Sequence, residues 1–171
     1  MIVLMAGLPG TGKSTLAQEL AARTGGRVIS KDEIRHAVFA PDEIEYSTRQ
    51  DDFCLQIMLR TATYLLEQED SRFIFLDGRT FSQRYQIANV IAAAESLHQP
   101  WRVLECVCSE SAAKRRLEEH AATGAHKAAN RDFQLYLDVK SRFETITHSK
   151  TAINTDQPLN LCLELAAEAL K

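Results

Sequence analysis

A glycine-rich turn between an apolar segment and a helix-forming segment constrains the fold more than any other feature of the sequence. Residues 7–15 have the sequence Gly-Leu-Pro-Gly-Thr-Gly-Lys-Ser-Thr and follow the apolar run Ile2–Ala6 directly. Glycines allow the backbone N–H groups of such a turn to converge on phosphate oxygens. The helix that follows directs its unpaired N–H groups to the same anion. The sequence therefore predicts a P-loop, the Walker A motif of proteins that bind nucleoside triphosphates.

The spacing of this motif assigns a role to its polar residues. We expect Lys13 to reach the β- and γ-phosphates and to act in catalysis, and Ser14 to bind Mg²⁺ through its hydroxyl group. The predicted nucleotide-binding residues are Gly7, Gly10, Thr11, Gly12, Lys13, Ser14 and Thr15.

Five short apolar segments alternate with segments of helical periodicity. The predicted strands are Ile2–Ala6, Arg27–Ser30, Arg72–Leu76, Trp101–Val107 and Thr151–Asn154. Strands that alternate with helices favour a parallel sheet covered by helices on both faces. With 171 residues and no linker or repeat, we expect a single α/β domain over residues 1–171.

The predicted helices fill the intervals between these strands. They are Lys13–Arg23, a helix that begins at a capping box at Ser30, residues 48–66, Ser82–Ser96, Ser109–Glu119, Phe133–Ile146 and Pro158–Leu170. Gly25 and Gly26 are expected to end the first helix. Two rows at i+4 spacing make residues 48–66 amphipathic: Phe53, Ile57, Thr61 and Leu65, beside Cys54, Met58 and Ala62. The polar segment at residues 118–132 is expected to form a mobile lid.

A carboxylate is expected beside the P-loop at the end of the third strand. Asp77 follows four apolar residues, and open parallel sheets bind ligands at the carboxyl ends of their strands. We therefore expect Asp77 to hold Mg²⁺ with Ser14, directly or through water. The alternative is a strand-end aspartate that only caps the next turn.

Asp32 is the candidate for engaging an acceptor hydroxyl group. It follows the second strand, so it lies at the same edge of the predicted sheet as the P-loop. An acidic residue in the first turn of a helix is also favoured by the helix dipole alone. Position in the sequence leaves both interpretations open.

Three segments taken together, GLPGTGKST, SKDEIR and FIFLDGRTF, resemble the small P-loop kinases related to polynucleotide kinase and zeta toxin. The resemblance extends over nearly the whole chain. It implies a three-layer P-loop NTPase fold with a five-stranded parallel sheet in the order 2-3-1-4-5 and a lid. It also implies a magnesium- and ATP-dependent kinase.

The same resemblance implies roles for individual residues. Asp32 is expected to act as the general base or to orient the acceptor. Arg35 and Arg79 are expected on the acceptor side, together with Thr80, and Asp77 is expected at the metal. Arg116, in the helix that leads into the lid, is the expected catalytic arginine.

Two further elements of the resemblance are less complete. A second lid arginine often follows four residues after the first, where this chain has His120. Either Arg115, Lys127 or Arg131 replaces it, or the lid contributes less charge. The adenine pocket is expected near the loop at residues 154–158, without a single residue that stands out.

Charge and composition limit the acceptor and the location. The 20 basic and 23 acidic residues give a net charge of -3, so nothing draws the chain as a whole to nucleic acid or to an anionic membrane. The apolar start is too short to span a membrane, and a cytoplasmic location with reduced, mostly buried cysteines is expected. His36, His98, His126 and His148 lack metal-ligand spacing.

These observations favour a kinase that phosphorylates a hydroxyl group of a small molecule. One alternative is a 5′-hydroxyl polynucleotide kinase, because Arg35, Arg49 and Arg79 can form a local basic site. The other is a switch or binding module that hydrolyses ATP slowly and signals by closing its lid. The expected partners are thus a nucleoside triphosphate and an unidentified acceptor.

Overall fold

The five strands form one parallel sheet with the predicted order. The computed structural model describes residues 1–123 and 132–171. The strands are β1 (Ile2–Ala6), β2 (Arg27–Ser30), β3 (Ile74–Asp77), β4 (Trp101–Val107) and β5 (Thr151–Asn154). Their order is β2-β3-β1-β4-β5, and neighbouring strands all run parallel. This confirms the P-loop NTPase fold expected from the sequence.

Helices cover both faces of the sheet. They are α1 (Lys13–Thr24), α2 (Lys31–Val38), α3 (Thr48–Gln68), α4 (Arg84–Ser96), α5 (Glu110–Thr123), α6 (Phe133–Ser141) and α7 (Leu159–Glu168), with a short 3₁₀ turn at Pro41–Glu43. Among the described residues, no helix is long and apolar enough to cross a membrane.

The alternation of side chains along β1 divides the core into two layers. Ile2 and Leu4 pack in the layer that contains residues of α3 and α4. Val3 and Met5 pack in the layer that contains residues of α1 and α7. Every residue of β1 is buried, which explains why this segment is apolar without interruption. The central strand thereby fixes the position of the P-loop that follows it.

Local signals at the ends of two helices agree with the sequence. Gly25 ends α1 in the left-handed conformation, with φ of 67°. The Ser30 side chain caps α2 by accepting a hydrogen bond from the Glu33 N–H group. In α3, the buried row is Cys54, Met58 and Ala62, whereas Phe53, in the neighbouring row, is 46% exposed.

Several predicted boundaries are wrong: α4 begins at Arg84 and not at Ser82, and α5 extends to Thr123 and not to Glu119. β3 begins at Ile74 and not at Arg72, and it includes Asp77. The helix predicted to extend to Ile146 ends at Ser141. The reason lies in contacts distant along the chain: the Glu144 N–H group donates to the Ser82 carbonyl at 2.8 Å, and Ile146 enters the core. In a continued helix the Glu144 N–H group would bond the Lys140 carbonyl oxygen instead, so the bond to Ser82 requires α6 to end earlier.

The predicted lid is described only at its ends. Its first residues continue α5, which extends to Thr123. Residues 124–131, with His126, Lys127 and Arg131, lie outside the described residues. Whether Lys127 or Arg131 replaces the second lid arginine therefore stays a prediction.

Candidate active site

The P-loop is clamped between β4 and α5, and two of its glycines are required there. Gly7 and Gly10 have φ of 129° and 77°, values that disfavour other residues. A Cβ atom on Gly7 would lie 2.3 Å from the Cys106 carbonyl oxygen, and one on Gly10 would lie 2.9 Å from that of Ala113. Any larger residue at either position displaces the loop.

The P-loop carries an ammonium group and backbone N–H groups that can bind an anion. Lys13 is buried, and its ammonium group donates to the Leu8 carbonyl oxygen at 2.6 Å. The Thr11 hydroxyl group donates to the same carbonyl at 2.8 Å. Gly12 precedes α1 and has no side chain to cap the first N–H groups of that helix, which leaves the positive end of the helix facing the loop.

One cleft brings together most of the predicted site residues, and we refer to it as the Asp32 cleft. It lies between the P-loop, the start of α2 and the end of β3. The predicted residues that line it are Lys13, Ser14, Asp32, Arg35, Asp77, Arg79 and Thr80. They come from three separate parts of the chain, so their convergence results from the fold.

Gly78 makes this convergence possible. Its φ is 85°, and a Cβ atom there would lie 3.0 Å from the backbone nitrogen of Lys31. The turn after β3 therefore packs directly against the start of α2. As a result, Asp77 and Asp32 line the same cleft.

Asp77 has the features of a magnesium ligand. Its side chain is 4% exposed, and its Oδ1 atom is buried without a hydrogen-bond partner. This free acceptor counts against a role limited to capping the turn. Ser14 lines the same cleft, and Mg²⁺ commonly takes only one or two protein ligands beside phosphate oxygens and water. The residues present thus fit the ion expected from the sequence.

Asp32 is held by two cations. Its Oδ1 atom accepts a hydrogen bond from Arg35 Nη1 at 3.2 Å and lies 3.6 Å from Lys31 Nζ. It belongs to the first turn of α2 and also faces the cleft. The two interpretations of Asp32 that the sequence left open are therefore compatible, since one residue meets both conditions.

Sequence reasoning missed Asp51, which completes this charge network. Its carboxylate accepts a hydrogen bond from Lys31 Nζ at 2.9 Å and another from Arg35. Ser47 caps α3, so an acidic residue at position 51 belongs to the first turn of that helix, next to the P-loop edge. The Ser47 cap was the signal in the sequence for this position, because the apolar rows of α3 do not indicate which of its polar residues face the cleft.

Tyr46 packs on the other face of this network. The Arg35 guanidinium lies 5.0 Å from the centre of the Tyr46 ring, a distance at which a cation and an aromatic face attract. The Tyr46 backbone has φ of 49°, which is uncommon for an aromatic residue. The chain accepts this strained conformation at the point where the ring covers Arg35.

Arg79 approaches the cleft from the turn after β3. It is 2% exposed, and its Nη2 atom donates to Asp52 Oδ1 at 2.5 Å. The Tyr85 hydroxyl group donates to the other oxygen of Asp52 at 3.2 Å. Asp52 is the second acidic residue of the first turns of α3 that the sequence interpretation did not use.

Arg116 lies at a second cleft, on the other side of the P-loop. It donates to the Thr155 hydroxyl group at 3.0 Å and to the Thr155 carbonyl oxygen at 2.7 Å. Thr155 and Gln157 of the predicted adenine loop line this cleft with Gly12 and His120. The structure therefore places Arg116 against the P-loop and the loop at residues 154–158, and outside the lining of the Asp32 cleft. Its catalytic role stays a prediction.

A protein-family model matches most of the chain. The AAA domain family matches residues 2–146, which include the P-loop, α2 and β3. The chain belongs to the AAA domain family. No curated protein sequence matches this AAA domain significantly.

Solved structures with the same fold cover nearly the whole chain. The APS kinase of Mycobacterium tuberculosis, in complex with AMPPNP and APS, has a TM-score of 0.72 and 17% identity, with 99% of this chain and 96% of that chain covered. A sugar kinase from Janibacter has a TM-score of 0.70 at 17% identity, and a gluconokinase from Sinorhizobium meliloti has 0.68 at 18%. Each covers 99% of this chain and 93% of its own. At such identities the likeness shows the fold, and the narrower resemblance to polynucleotide kinase and zeta toxin stays a prediction.

The P-loop of this AAA domain thus separates two clefts with different chemistry. The Asp32 cleft contains carboxylates and basic groups in contact with one another. Within the described part of the chain, the second cleft has no acidic residue in its lining, which combines basic residues such as Arg116 with polar and apolar ones such as Gln157 and Leu159. Lys13 and Ser14 of the P-loop line both clefts.

Proposed function

We propose that this chain is an ATP-dependent phosphotransferase that moves the γ-phosphate to a hydroxyl group of a small molecule. One observation carries the proposal: the Asp32 carboxylate borders the same cleft as Lys13 and Ser14 of the P-loop. A phosphate cradle alone serves binding or hydrolysis equally well, whereas a carboxylate opposite it provides a base for an acceptor hydroxyl group. The kinase names of three structures with this fold also support it.

The reaction that we propose is a single displacement. The acceptor hydroxyl oxygen attacks the γ-phosphorus while its proton passes to the Asp32 carboxylate. The bond between the γ-phosphorus and the β,γ-bridging oxygen breaks, and ADP leaves with that electron pair. Lys13 and the P-loop N–H groups bind the β- and γ-phosphates throughout.

Arg35 and Lys31 hold Asp32 in place for this step, since both lie beside its Oδ1 atom. We propose that Ser14 and Asp77 hold Mg²⁺, which neutralises charge on the β- and γ-phosphates when bound. Gly7, Gly10, Thr11, Gly12 and Thr15 complete the proposed nucleotide site. Arg116 already contacts the P-loop, since its Nη1 atom donates to the Gly10 carbonyl oxygen at 3.4 Å. We propose that it turns from this contact to the transferring phosphoryl group and stabilises its charge.

The decisive test is Asp32→Asn, measured with a screen of hydroxyl-bearing metabolites and labelled ATP. We expect AMPPNP binding to persist and acceptor phosphorylation to fall by about 10²–10⁴-fold, the usual contribution of a general base. Glu33→Gln is the matched control, because it removes the same charge from the same helix turn outside the cleft. Equal turnover in both variants would contradict the assigned role.

The same screen separates the two alternatives. A 5′-hydroxyl oligonucleotide belongs in it, because a polynucleotide kinase would phosphorylate that oligonucleotide and bind it in a salt-sensitive manner. A nucleotide-dependent switch would hydrolyse ATP slowly, phosphorylate none of the acceptors and keep its activity in Asp32→Asn.

A further inference from the structure

Arg79 has hydrogen-bonding capacity that the protein does not use. Its Nε and Nη1 atoms are buried and have no hydrogen-bond partner, although Nη2 is bound to Asp52. A guanidinium group carries five N–H donors and stays charged at any physiological pH. Buried donors without a partner are rare, because each loses its hydrogen bonds to water and gains none in return. Arg79 also lines the Asp32 cleft.

Arg35 lines the same cleft but is used differently. Its two terminal nitrogens bind Asp32 and Asp51, and its guanidinium packs on the Tyr46 ring. Its Nε atom is buried without a partner, whereas Arg79 leaves both Nε and the terminal Nη1 unused. Two carboxylates therefore balance Lys31 and Arg35 within the cleft. These contacts give Arg35 a role in positioning Asp32, and the substrate-binding role that the resemblance implies for it stays a prediction.

Basic residues outnumber acidic ones in the described lining of the cleft. Its basic lining residues are Lys13, Lys31, Arg35, Arg79 and Arg142, and its acidic ones are Asp32, Asp51 and Asp77. After Lys13 and Asp77 are assigned to the nucleotide and Mg²⁺, and the Lys31 and Arg35 network is balanced, Arg79 and Arg142 remain. The only carboxylate that the described contacts give Arg79 is Asp52, whose side chain is 39% exposed.

We infer that Arg79 binds an anionic group of the acceptor, so that the acceptor is a hydroxyl compound that also carries a carboxylate or a phosphate. This inference rests on the proposed function. Nε and Nη1 are buried, so an anion in the cleft can reach them only if the guanidinium group rotates. We expect the group to rotate towards the cleft when the anion enters, with its hydrogen bond to Asp52 as the pivot. A carboxylate or phosphate then accepts the N–H groups that the protein leaves unused, in the bidentate manner that arginine favours.

The first arm of the test measures anion binding without catalysis. The full chain is saturated with Mg²⁺ and AMPPNP, so that the P-loop is filled, and inorganic phosphate and acetate are titrated by NMR. We expect saturable binding that Arg79→Gln weakens by about 10–100-fold, the value of a charge-assisted hydrogen bond or two. Arg84→Gln is the matched control, because it removes the same charge from an exposed residue outside the cleft and is expected to bind as the unmodified chain does.

Asp52→Asn separates charge from packing in this arm. It removes the one carboxylate bound to Arg79 while the arginine stays in place, so anion affinity is expected to be kept or raised. Absence of saturable binding, or equal binding in Arg79→Gln and Arg84→Gln, overturns the inference.

The second arm compares acceptors of equal length with labelled ATP: a sugar acid, a sugar phosphate and a neutral sugar alcohol. We expect a higher kcat/KM for an anionic acceptor, and a selective loss of that preference in Arg79→Gln through KM. The compound with the higher kcat/KM, sugar acid or sugar phosphate, shows whether Arg79 favours a carboxylate or a phosphate. If the neutral compound is preferred, the inference is wrong while the proposed function stands. If AMPPNP binds but no compound is phosphorylated, the proposed function fails, and the titration alone decides whether the anion site exists.

Discussion

The guanidinium group of Arg35 on α2 donates a hydrogen bond to the carboxylate of Asp51 on α3. The same Asp51 oxygen accepts from Lys31 at 2.9 Å, so one residue of α3 holds both cations that flank Asp32. The geometry of the proposed base thus depends on the docking of α3 against α2. A change at Asp51 is expected to alter catalysis although Asp51 need not touch the acceptor.

Asp51→Asn is expected to reduce both stability and turnover. Arg35 is 1% exposed, and a buried charge that loses a partner is costly. Because the Asp51 side chain is 25% exposed and Asp32 remains as a partner, we expect a loss of about 1–3 kcal/mol in the free energy of unfolding. We also expect roughly a tenfold lower kcat for acceptor phosphorylation, about 1.4 kcal/mol in the barrier, with unchanged AMPPNP affinity.

Urea unfolding and steady-state kinetics measure these two effects. Asp42→Asn is the control, since Asp42 is an exposed acidic residue of the 3₁₀ turn between α2 and α3. If Asp51→Asn is as stable and as active as Asp42→Asn, the network does not position Asp32.

Gly7→Ala is expected to disrupt the P-loop, whereas Gly25→Ala is expected to be mild. Both glycines have positive φ, but a Cβ atom on Gly7 would meet the Cys106 carbonyl oxygen at 2.3 Å, and one on Gly25 would meet nothing within 4 Å. Backbone strain alone costs about 1 kcal/mol, so Gly25→Ala should lose about that much stability and bind AMPPNP normally. Gly7→Ala should lose more stability and most of its AMPPNP affinity. Similar AMPPNP affinity in the two variants would show that contact with β4 does not shape the loop.

Asp77→Asn is expected to weaken the contribution of Mg²⁺ to nucleotide binding. AMPPNP affinity is measured by calorimetry with Mg²⁺ and with a chelator. The unmodified chain should gain affinity from Mg²⁺, and Asp77→Asn should lose roughly tenfold of that gain, about 1.4 kcal/mol. Affinity in the chelator should be equal in the two proteins or better in the variant, because a carboxylate near phosphate repels it without the metal. An equal gain from Mg²⁺ would exclude Asp77 as a ligand, direct or through water.

The sequence predicted those parts of the site that depend on local motifs. The P-loop motif specified its own conformation, because glycines at positions 7 and 10 permit backbone angles that are closed to other residues. The convergence of Asp32 and Asp77 followed from the rule that parallel strands present their carboxyl ends at one edge. The structure pairs their strands accordingly, with Ser30 opposite Asp77 in the register.

The parts that the sequence did not predict depend on contacts between distant residues. Asp52 binds Arg79 across 27 positions, and no short motif relates these two. The early end of α6 depends on Glu144 reaching the Ser82 carbonyl oxygen, although the helical pattern itself continues. Tertiary contacts of this kind override local propensity, and they leave a terminal nitrogen of Arg79 unused while both terminal nitrogens of Arg35 are bound.

Cys106 gives the stability of the fold a distinct pH dependence. All four cysteines are free, and burial raises the pKa of the Cys106 thiol from 9.0 to about 12. Between these two values the unfolded chain releases the thiol proton while the folded chain keeps it. Ionisation therefore stabilises the unfolded state, and the free energy of unfolding decreases as the pH rises above about 9, in the direction required by proton linkage.

Comparison with Cys106→Ala isolates this contribution. The free energy of unfolding is measured with urea near pH 8 and near pH 10. Between these conditions it should fall by about 1.4 kcal/mol more in the unmodified chain than in the variant, because the unfolded state alone releases the Cys106 thiol proton. Both proteins share all other ionisable groups, so the effect of those groups cancels in the difference. Equal losses in the two proteins would mean that the Cys106 thiol ionises as readily in the folded chain as in the unfolded one, and that the strand behind Gly7 is less well sealed from water than its burial implies.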